Sequence, residues 1–285
     1  MVKASDRSGE LNPYEQFRQE CTEEVKLQGE DTEFLATTQE WIDRSMHSRY
    51  SLHFEWLGRP IIQYPQDIMA MQEILFMVQP DLVIETGVAH GGSLVFYSSM
   101  LELIASCGGP SEAGVVGIDI EIRSHNREAI EAHPMAQRIR LIEGSSIEPT
   151  VVDEVRCIAA RCKRVMVCLD SLHSYRHVLA ELEAYAPLTS IGSYCVVFDT
   201  IAETLPQSYF DAADRRCAPG NSPMTAVNEF LGSNHDFEVD RSVFDKLLIS
   251  VAPGGYLKRV SRTCLCKDLS RVLPVSDPMP RQAAV

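Results

Sequence analysis

One stretch, residues 81–93, constrains the fold of this chain more than any other. It reads DLVIETGVAHGGS: apolar and β-prone residues, then the acid Glu85, then small residues up to Ser93. Apolar residues at helical spacing follow, in LVFYSSMLELI. This order predicts a buried strand, a tight turn and the N-terminus of a helix. Glycine suits such a turn because it adopts positive φ angles and lets a ligand approach the backbone.

The acid at the end of this strand indicates the charge of the ligand. A dinucleotide site keeps the turn free of carboxylates, so that a pyrophosphate can lie on the helix N-terminus. Here we expect Glu85 to point into the same crevice, which favours a cation. S-adenosylmethionine carries an ammonium and a sulfonium group and no phosphate. The turn is therefore predicted to bind S-adenosylmethionine rather than a nicotinamide dinucleotide.

Two later strand ends support an adenosyl ligand. Asp119 ends the apolar segment VVGIDI, about 30 residues after the turn, where a carboxylate accepts hydrogen bonds from ribose hydroxyls. Ser145 follows the segment RIRLIEG and is expected to flank an adenine. The predicted cofactor-binding residues are Glu85, Gly87, Val88, Gly91, Ser93, Asp119, Ser145 and Asp170.

Strand and helix patterns alternate along most of the chain, which predicts an α/β fold. The strands are almost wholly apolar, as in a mostly parallel sheet with helices on both faces. FEVDRS and KLLISVAPGGYLKRV are expected to form a final antiparallel pair, and 201–221 an irregular, polar lid. We predict an N-terminal helical extension over 1–60, a core domain over 61–260 and a tail over 261–285. In the extension, 22–46 reads as one helix, followed by an aromatic loop.

The composition excludes several classes of function. The 285 residues carry a formal net charge of −14 and no basic run, which argues against nucleic acids and anionic membranes as partners. No run of 18 apolar residues and no apolar N-terminal signal segment occurs, so a cytoplasmic protein is expected. The nine cysteines form no CxxC pair, which argues against a disulfide framework or a structural zinc site.

The segment LDSLHSYRHV carries the candidate catalytic residues. Asp170 is predicted to end a strand, and His173 to lie in the first turn of the next helix. His173 is the expected general base, because an unperturbed imidazole titrates near neutral pH, with Asp170 as its partner or as a metal ligand. His177, four residues later on the same predicted helix face, is expected to be structural. A zinc site formed by Asp170, His173 and His177 is the rival interpretation.

Asp170 and Asp199 are predicted to end neighbouring strands, where two carboxylates repel each other unless a cation or a proton intervenes. Oxygen ligands suit Mg²⁺ or Ca²⁺, and such an ion would chelate two vicinal hydroxyls of a substrate. Alternatively, Asp199 caps the following segment or pairs with Arg215 or Arg216. Both interpretations stay open at this point.

Several segments together resemble the cephalosporin hydroxylase family, over about residues 55 to 260. They are LVIETGVAHGGS, GIDI, LDSLHSYRHVLAELEAYAPL, GSYCVVFDT, PMTAVNEFL and PGGYLKR. This family has the Rossmann-like fold of class I S-adenosylmethionine-dependent methyltransferases, with a seven-stranded sheet, and includes rhamnosyl and macrolide-sugar O-methyltransferases. The resemblance implies cofactor contacts at Glu85, Gly87, Gly91, Ser93 and Asp119. It also implies a base at His173 and a magnesium site at Asp170 and Asp199.

One position departs from the family pattern. Members usually have Glu-Asp-Thr after the fifth strand, where this chain has Phe198, Asp199 and Thr200. A carboxylate ligand is therefore missing. Either water completes the shell of a metal held by two aspartates, or Glu203 or Asn228 substitutes, or no metal binds. We expect weakened metal dependence, and tighter Mg²⁺ binding in Phe198→Glu.

The expected activity is methyl transfer from S-adenosylmethionine to a hydroxyl of a sugar or hydroxylated natural product, with Mg²⁺ as a conditional second cofactor. The expected partners are a small glycoside acceptor and further copies of this chain. The alternative is a non-catalytic, cofactor-binding partner of a hydroxylase or another biosynthetic enzyme, which the altered metal motif favours. A nicotinamide-dependent oxidoreductase is disfavoured by Glu85 and by the absence of GxGxxG.

Overall fold

A computed structural model describes residues 12–211 and 217–260. The first described segment is helical, but in two pieces: α1 is Pro13–Glu30 and α2 is Thr32–His47. They separate at Asp31, whose side chain accepts hydrogen bonds from the first backbone N–H groups of α2 and so caps it. The predicted single helix over 22–46 is therefore wrong. The predicted aromatic loop contains a hairpin, β1 Phe54–Trp56 and β2 Arg59–Ile61.

The remaining elements alternate as predicted. In chain order they are α3 Pro65–Val78, β3 Leu82–Thr86, α4 Gly92–Ser106, β4 Gly114–Asp119, α5 Ser124–Glu131, β5 Ile139–Glu143, α6 Pro149–Ala159, β6 Val165–Leu169, α7 Tyr175–Tyr185, β7 Tyr194–Val197, α8 Gln207–Asp211, α9 Pro223–Ser233, β8 Phe237–Val239, α10 Arg241–Leu247 and β9 Tyr256–Arg259.

Seven strands form one sheet in the order β5-β4-β3-β6-β7-β9-β8. The first five in this order pair in parallel, whereas β9 runs antiparallel to both of its neighbours. The prediction of a mostly parallel sheet of seven strands with an antiparallel last strand is confirmed. Strands β3, β6 and β7 are buried along their whole length, because two apolar clusters cover the two faces of the sheet.

The chain order reverses direction between β3 and β6, which are neighbours in the sheet. Ligands of open α/β sheets bind at such a point, outside the carboxyl ends of the strands. The turn after β3 and the loop after β6 both lie there, and they carry the residues singled out from the sequence.

Three local predictions are wrong. The predicted antiparallel pair forms between β8 and β9, but the segment KLLISV is not part of its strand: Lys246 and Leu247 end α10, and the four residues that follow are bends and loop. The described parts of 201–221, which are 201–211 and 217–221, are not an irregular polar lid: a 3₁₀ turn spans Thr200–Glu203, and Ile201, Leu205 and Phe210 are buried. Helix α7 begins at Tyr175, so His173 precedes it. Arg215, Arg216 and the predicted tail over 261–285 lie outside the described residues.

In the two described segments, no helix combines the length and the apolar character needed to cross a bilayer.

Candidate active site

One cavity of about 400 Å³ opens at the carboxyl ends of β3 and β6. The turn from Gly87 to Ser93 lines one wall, and the loop after β6, with Asp170 and His173, lines another together with Asp199. The third wall comes from outside the sheet, from the end of α2 and the turn that follows. Its residues are Ser45, Met46, Arg49, Tyr50, Ser51 and Leu52. Of the predicted cofactor-binding residues, Gly87, Val88, Gly91, Ser93 and Asp170 line this cavity.

The glycine-rich turn lies directly on the loop after β6. Gly87 has a φ of 92°, and a Cβ atom added there would lie 2.0 Å from the carbonyl oxygen of Asp170. Only glycine combines this backbone angle with so close an approach. The two loops that carry the predicted cofactor and catalytic residues are therefore in direct backbone contact.

Asp119 holds the turn in place from the neighbouring strand β4. Its Oδ2 atom accepts hydrogen bonds from the backbone N–H groups of Val88, at 2.8 Å, and Ala89, at 3.3 Å. The structure thus places this carboxylate against the turn, and its predicted contact with a ribose stays a prediction. Ser145 lies after β5, outside the residues that line the cavity, and its contact with an adenine also stays a prediction.

Glu85 does not point into the cavity, and this part of the sequence analysis is wrong. Its side chain is fully buried behind Ser93, whose hydroxyl donates to Oε2 at 2.6 Å. Burial, together with the nearby carboxylates of Asp170 and Asp119, raises the pKa of Glu85 well above its ordinary value, although the hydrogen bond from Ser93 opposes this. Ser93, rather than a carboxylate, faces the cavity here.

Asp170, His173 and Asp199 form one group of interacting side chains in the site. His173 Nδ1 lies 2.8 Å from Asp199 Oδ2, and His173 Nε2 lies 3.3 Å from Asp170 Oδ1. The second contact is close but lacks hydrogen-bond geometry. Ligand atoms of the three side chains all lie within 4.8 Å of one another, so the group can hold a metal ion.

The charges in this group shift its protonation. Burial lowers the pKa of His173, but the carboxylates of Asp199 and Asp170 outweigh it and raise the pKa well above the ordinary value. Burial raises the pKa of Asp170, which is only partly offset by His173. The two carboxylates therefore favour the protonated form of the imidazole that lies between them.

His177 belongs to a different network, in the first turn of α7. Its Nε2 atom lies 3.1 Å from Ser146 Oγ and 3.4 Å from Oε1 of the buried Glu181. It does not line the cavity. Because His173 precedes the helix, the two histidines do not share a helix face, and the zinc site with Asp170 does not form.

Phe198 lies in the core rather than in the cavity wall. It is 1% exposed, and beside it lie the buried Asp67 and Tyr97. The carboxylate of Glu203 accepts hydrogen bonds from Ser222 and two other residues around the start of α9, and Asn228 is an exposed residue of α9. Neither Glu203 nor Asn228 lines the cavity, so neither replaces the missing family carboxylate in this structure.

Sequence analysis missed Gln63, which lies between β2 and α3. It is 6% exposed, lines the cavity, and its Nε2 atom donates to Asp170 Oδ2 at 3.1 Å. No local signal in IIQYP marks it, because its role depends on the packing of the hairpin against the sheet.

The chain is similar to a known protein family over most of its length. The family model described as Rhamnosyl O-methyltransferase/CmcI matches residues 48–260. The chain belongs to this family. A rhamnosyl O-methyltransferase of Mycobacterium bovis is 34% identical over 200 residues, which cover 68% of this chain and 73% of that protein. One from Mycobacterium leprae is 33% identical over 148 residues, covering 51% and 59%.

Solved structures of CmcI, a member named in the family description, share the fold. A complex with Mg and S-adenosylmethionine superimposes with a TM-score of 0.50 at 19% identity, covering 74% of this chain and 78% of that one. A complex with S-adenosylhomocysteine gives 0.50 at 18% identity, covering 73% and 83%. The family assignment confirms the resemblance inferred from the sequence motifs, and the sheet is that of class I methyltransferases.

Proposed function

We propose that this protein transfers a methyl group from S-adenosylmethionine to a hydroxyl of a sugar or hydroxylated natural product. Family membership supports the reaction, and the relatives that match are rhamnosyl O-methyltransferases. The observation that carries the proposal is the shared cavity. The glycine-rich turn and the group formed by Asp170, His173 and Asp199 line the same space of about 400 Å³, as the two reactants of a transfer require.

The turn suits an adenosyl cation better than a dinucleotide. In a dinucleotide site, backbone N–H groups of this turn and the helix N-terminus receive a pyrophosphate. Here the N–H groups of Val88 and Ala89 already donate to Asp119, and Asp170 and Asp199 line the same cavity. These carboxylates repel a phosphate and attract a cation. Bound S-adenosylmethionine would supply an electrophilic methyl group on its sulfonium.

His173 is placed to handle the proton of the acceptor hydroxyl. In methyl transfer the carbon–sulfur bond breaks, a carbon–oxygen bond forms, and the hydroxyl loses its proton. Both ring nitrogens of His173 face carboxylates, which fix the plane of the ring. The same carboxylates stabilise the imidazolium formed when the ring takes the proton. Because these carboxylates favour the protonated ring, one of the contacts would have to weaken before the ring could accept the proton.

Asp170 and Asp199 would hold a Mg²⁺ ion, since each offers carboxylate oxygens to the same small volume. An ion there would supply positive charge that lowers the pKa of a bound hydroxyl, and it would compete with the imidazolium for the two carboxylates. Its shell would contain two protein carboxylates instead of the three typical of the family. We therefore keep the prediction that metal dependence is weakened.

Calorimetry and mass spectrometry test the proposal together. The protein is titrated with S-adenosylhomocysteine and with NAD, and is then incubated with S-adenosylmethionine and a panel of rhamnosides and other glycosides. We expect binding of S-adenosylhomocysteine, no binding of NAD, and a gain of about 14 Da, one CH₂ unit, on one acceptor class. Binding of NAD alone would contradict the cofactor assignment.

A second candidate function is a cofactor-binding partner that assists another biosynthetic enzyme. Two observations favour it: Phe198 replaces a family carboxylate, and His173 is held by acids on both sides. In that case S-adenosylhomocysteine binds but no acceptor in the panel gains mass, even with Mg²⁺ present. The predicted cytoplasmic location, homo-oligomeric state and domain limits remain proposals, which fractionation, sedimentation and limited proteolysis would test.

A further inference from the structure

The short segment from Arg59 to Gln63 contacts both loops that line the site, the glycine-rich turn and the loop after β6. It comprises strand β2 and the two residues after it, and it lies outside the seven-stranded sheet. At one end, the Arg59 guanidinium donates two hydrogen bonds to the carbonyl oxygen of His90, in the glycine-rich turn. At the other end, Gln63 donates to the carboxylate of Asp170.

The contact at the turn is reinforced by a second residue. Arg59 Nη2 also donates to Oδ1 of Asn126, at 3.1 Å, and Nδ2 of Asn126 donates to the carbonyl of Ala89, at 2.9 Å. Ala89 has a φ of 44°, an angle that costs energy for a residue with a Cβ atom. Arg59 and Asn126 thus bind consecutive carbonyl groups of a strained turn and hold it in one conformation.

Between these two ends, the segment is pressed against the start of α4. A Cβ atom added to Gly92 would lie 2.1 Å from the carbonyl oxygen of Pro60, which is backbone and cannot yield as a side chain would. Residues 59–63 therefore keep a fixed distance from the turn.

The contact at Asp170 is made by a rigid donor. The Gln63 side chain is almost fully buried, and its Nε2 atom binds Oδ2 of Asp170, 3.1 Å away. The other oxygen, Oδ1, then faces His173. Gln63 Oε1 has no partner, so the hydrogen bond to Asp170 fixes which way the amide points.

We propose that residues 59–63 act as a two-ended positioning segment: Arg59 fixes the turn that binds the cofactor, and Gln63 orients Asp170 toward the cation-binding group. The proposal rests on the proposed function, because it assigns the turn to S-adenosylmethionine and Asp170 to a cation. Since the two contacts are made by different side chains to different loops, their effects on the two ligands are separable.

The test measures two affinities in each variant. S-adenosylhomocysteine is the probe of the turn, titrated by calorimetry, and Mn²⁺ is the probe of the cation site, titrated by electron paramagnetic resonance. Arg59→Met should weaken S-adenosylhomocysteine at least tenfold and change Mn²⁺ less than twofold. Gln63→Met should weaken Mn²⁺ at least fivefold and change S-adenosylhomocysteine less than twofold, and Gln63→Asn, which keeps an amide, should recover part of the loss.

Two matched substitutions serve as controls. Arg127→Met removes an arginine that pairs with Glu131 and Glu143 away from the cavity, and Gln66→Met removes a glutamine whose amide oxygen is also buried and unpartnered. Neither should change either affinity more than twofold. Asp170→Asn gives the Mn²⁺ affinity that remains when the cation site has lost one carboxylate. Circular dichroism checks that every variant is folded.

The outcomes separate the two ends of the proposal. Equal S-adenosylhomocysteine affinity in the wild type and Arg59→Met would overturn the role of Arg59. The role of Gln63 is overturned if the wild type and Gln63→Met bind Mn²⁺ with equal affinity. It is also overturned if the wild type binds Mn²⁺ no better than Asp170→Asn does. A wild type that binds no S-adenosylhomocysteine refutes the proposed function itself, which is a different result from binding that the variants leave unchanged.

Discussion

The Nδ1 atom of His173 lies 2.8 Å from Oδ2 of Asp199, while the other ring nitrogen faces Asp170. One imidazole thus bridges the carboxylates at the ends of two neighbouring parallel strands. It neutralises part of the repulsion between them, which otherwise requires a metal ion or a proton. The residue expected from the sequence to be the general base is therefore also an electrostatic partner of the predicted metal ligands.

Replacement of His173 by alanine should abolish most methyl transfer and leave the affinity for S-adenosylhomocysteine within about twofold. Loss of a general base typically lowers the rate by about 10² to 10⁴. His177→Ala is the matched control, because His177 contacts Ser146 and Glu181 and lies outside the cavity. Initial rates and calorimetry on both variants make the comparison. A larger rate loss in His177→Ala would mean that the base is assigned to the wrong histidine.

A methyl group at Gly92 should lower the stability of the protein far more than a methyl group at Gly232. At Gly92 the added Cβ would lie 2.1 Å from the Pro60 carbonyl, whereas at Gly232, in α9, nothing lies within 4 Å. We expect Gly92→Ala to lower the melting temperature and weaken S-adenosylhomocysteine binding. In Gly232→Ala, helix propensity should leave the stability unchanged or raise it by up to about 1 kcal/mol. Equal melting temperatures for the two variants would show that the hairpin yields at Pro60.

The pH dependence of stability should carry a contribution from Asp67. Burial raises its pKa from 3.8 to about 6, although Ser250, Val251 and Tyr256 donate hydrogen bonds to it. The folded protein therefore binds this proton more tightly than the unfolded chain does. The stabilisation is complete below about pH 4 and is lost as the pH rises through 6, by up to about 3 kcal/mol at about 1.4 kcal/mol per pH unit.

Urea unfolding of the wild type and Asp67→Asn between pH 5 and 7.5 measures this contribution. The asparagine cannot titrate, so the free energy of unfolding of the wild type minus that of the variant should fall as the pH rises. A difference that is constant across this range would show that Asp67 is ionised throughout.

Phe198→Glu should lower the thermal stability substantially at neutral pH. The new carboxylate would start from a position that is 1% exposed and close to the buried Asp67, and an unpaired buried charge costs on the order of several kcal/mol. A loss of about 3 kcal/mol corresponds to roughly 6 to 12 °C in a protein of this size. Phe198→Leu is the apolar control and should lose less.

The same Phe198→Glu samples, titrated with Mg²⁺, test the expectation drawn from the sequence that a glutamate at 198 tightens metal binding. If stability falls and Mg²⁺ restores it, the glutamate reaches the cation site. If Phe198→Glu is as stable as the wild type in the absence of metal, burial at position 198 does not prevent a charged side chain there.

Much of the fold could be predicted because its signals are local. A wholly apolar strand, a glycine-rich turn and a helix pattern occur in order between residues 81 and 106, and the alternation that follows leaves few arrangements open. The positions of Asp170 and Asp199 at strand ends followed from the same logic.

The remaining features depend on contacts between distant segments. The packing of α4 on the sheet decides which face of β3 carries Glu85. It also decides that Ser93 of α4 covers the Glu85 carboxylate. Gln63 reaches Asp170 across 107 positions of sequence, and Arg59 reaches the turn across 31. No residue type or spacing near Arg59 or Gln63 predicts these contacts.

The cavity wall formed by the end of α2 and the turn after it has a consequence for changing the acceptor of this protein. Ser45, Met46 and Arg49 shape the space beside the reactive groups, yet they belong to no strand of the sheet. Arg49 is exposed, so substitutions there can reshape that space at little cost to packing, whereas Ser45 is buried beside Tyr64 and Met46 packs against the core. Laboratory evolution toward a new acceptor should therefore begin at Arg49 and extend to Ser45 and Met46 afterwards, while the turn and the two aspartates are kept constant.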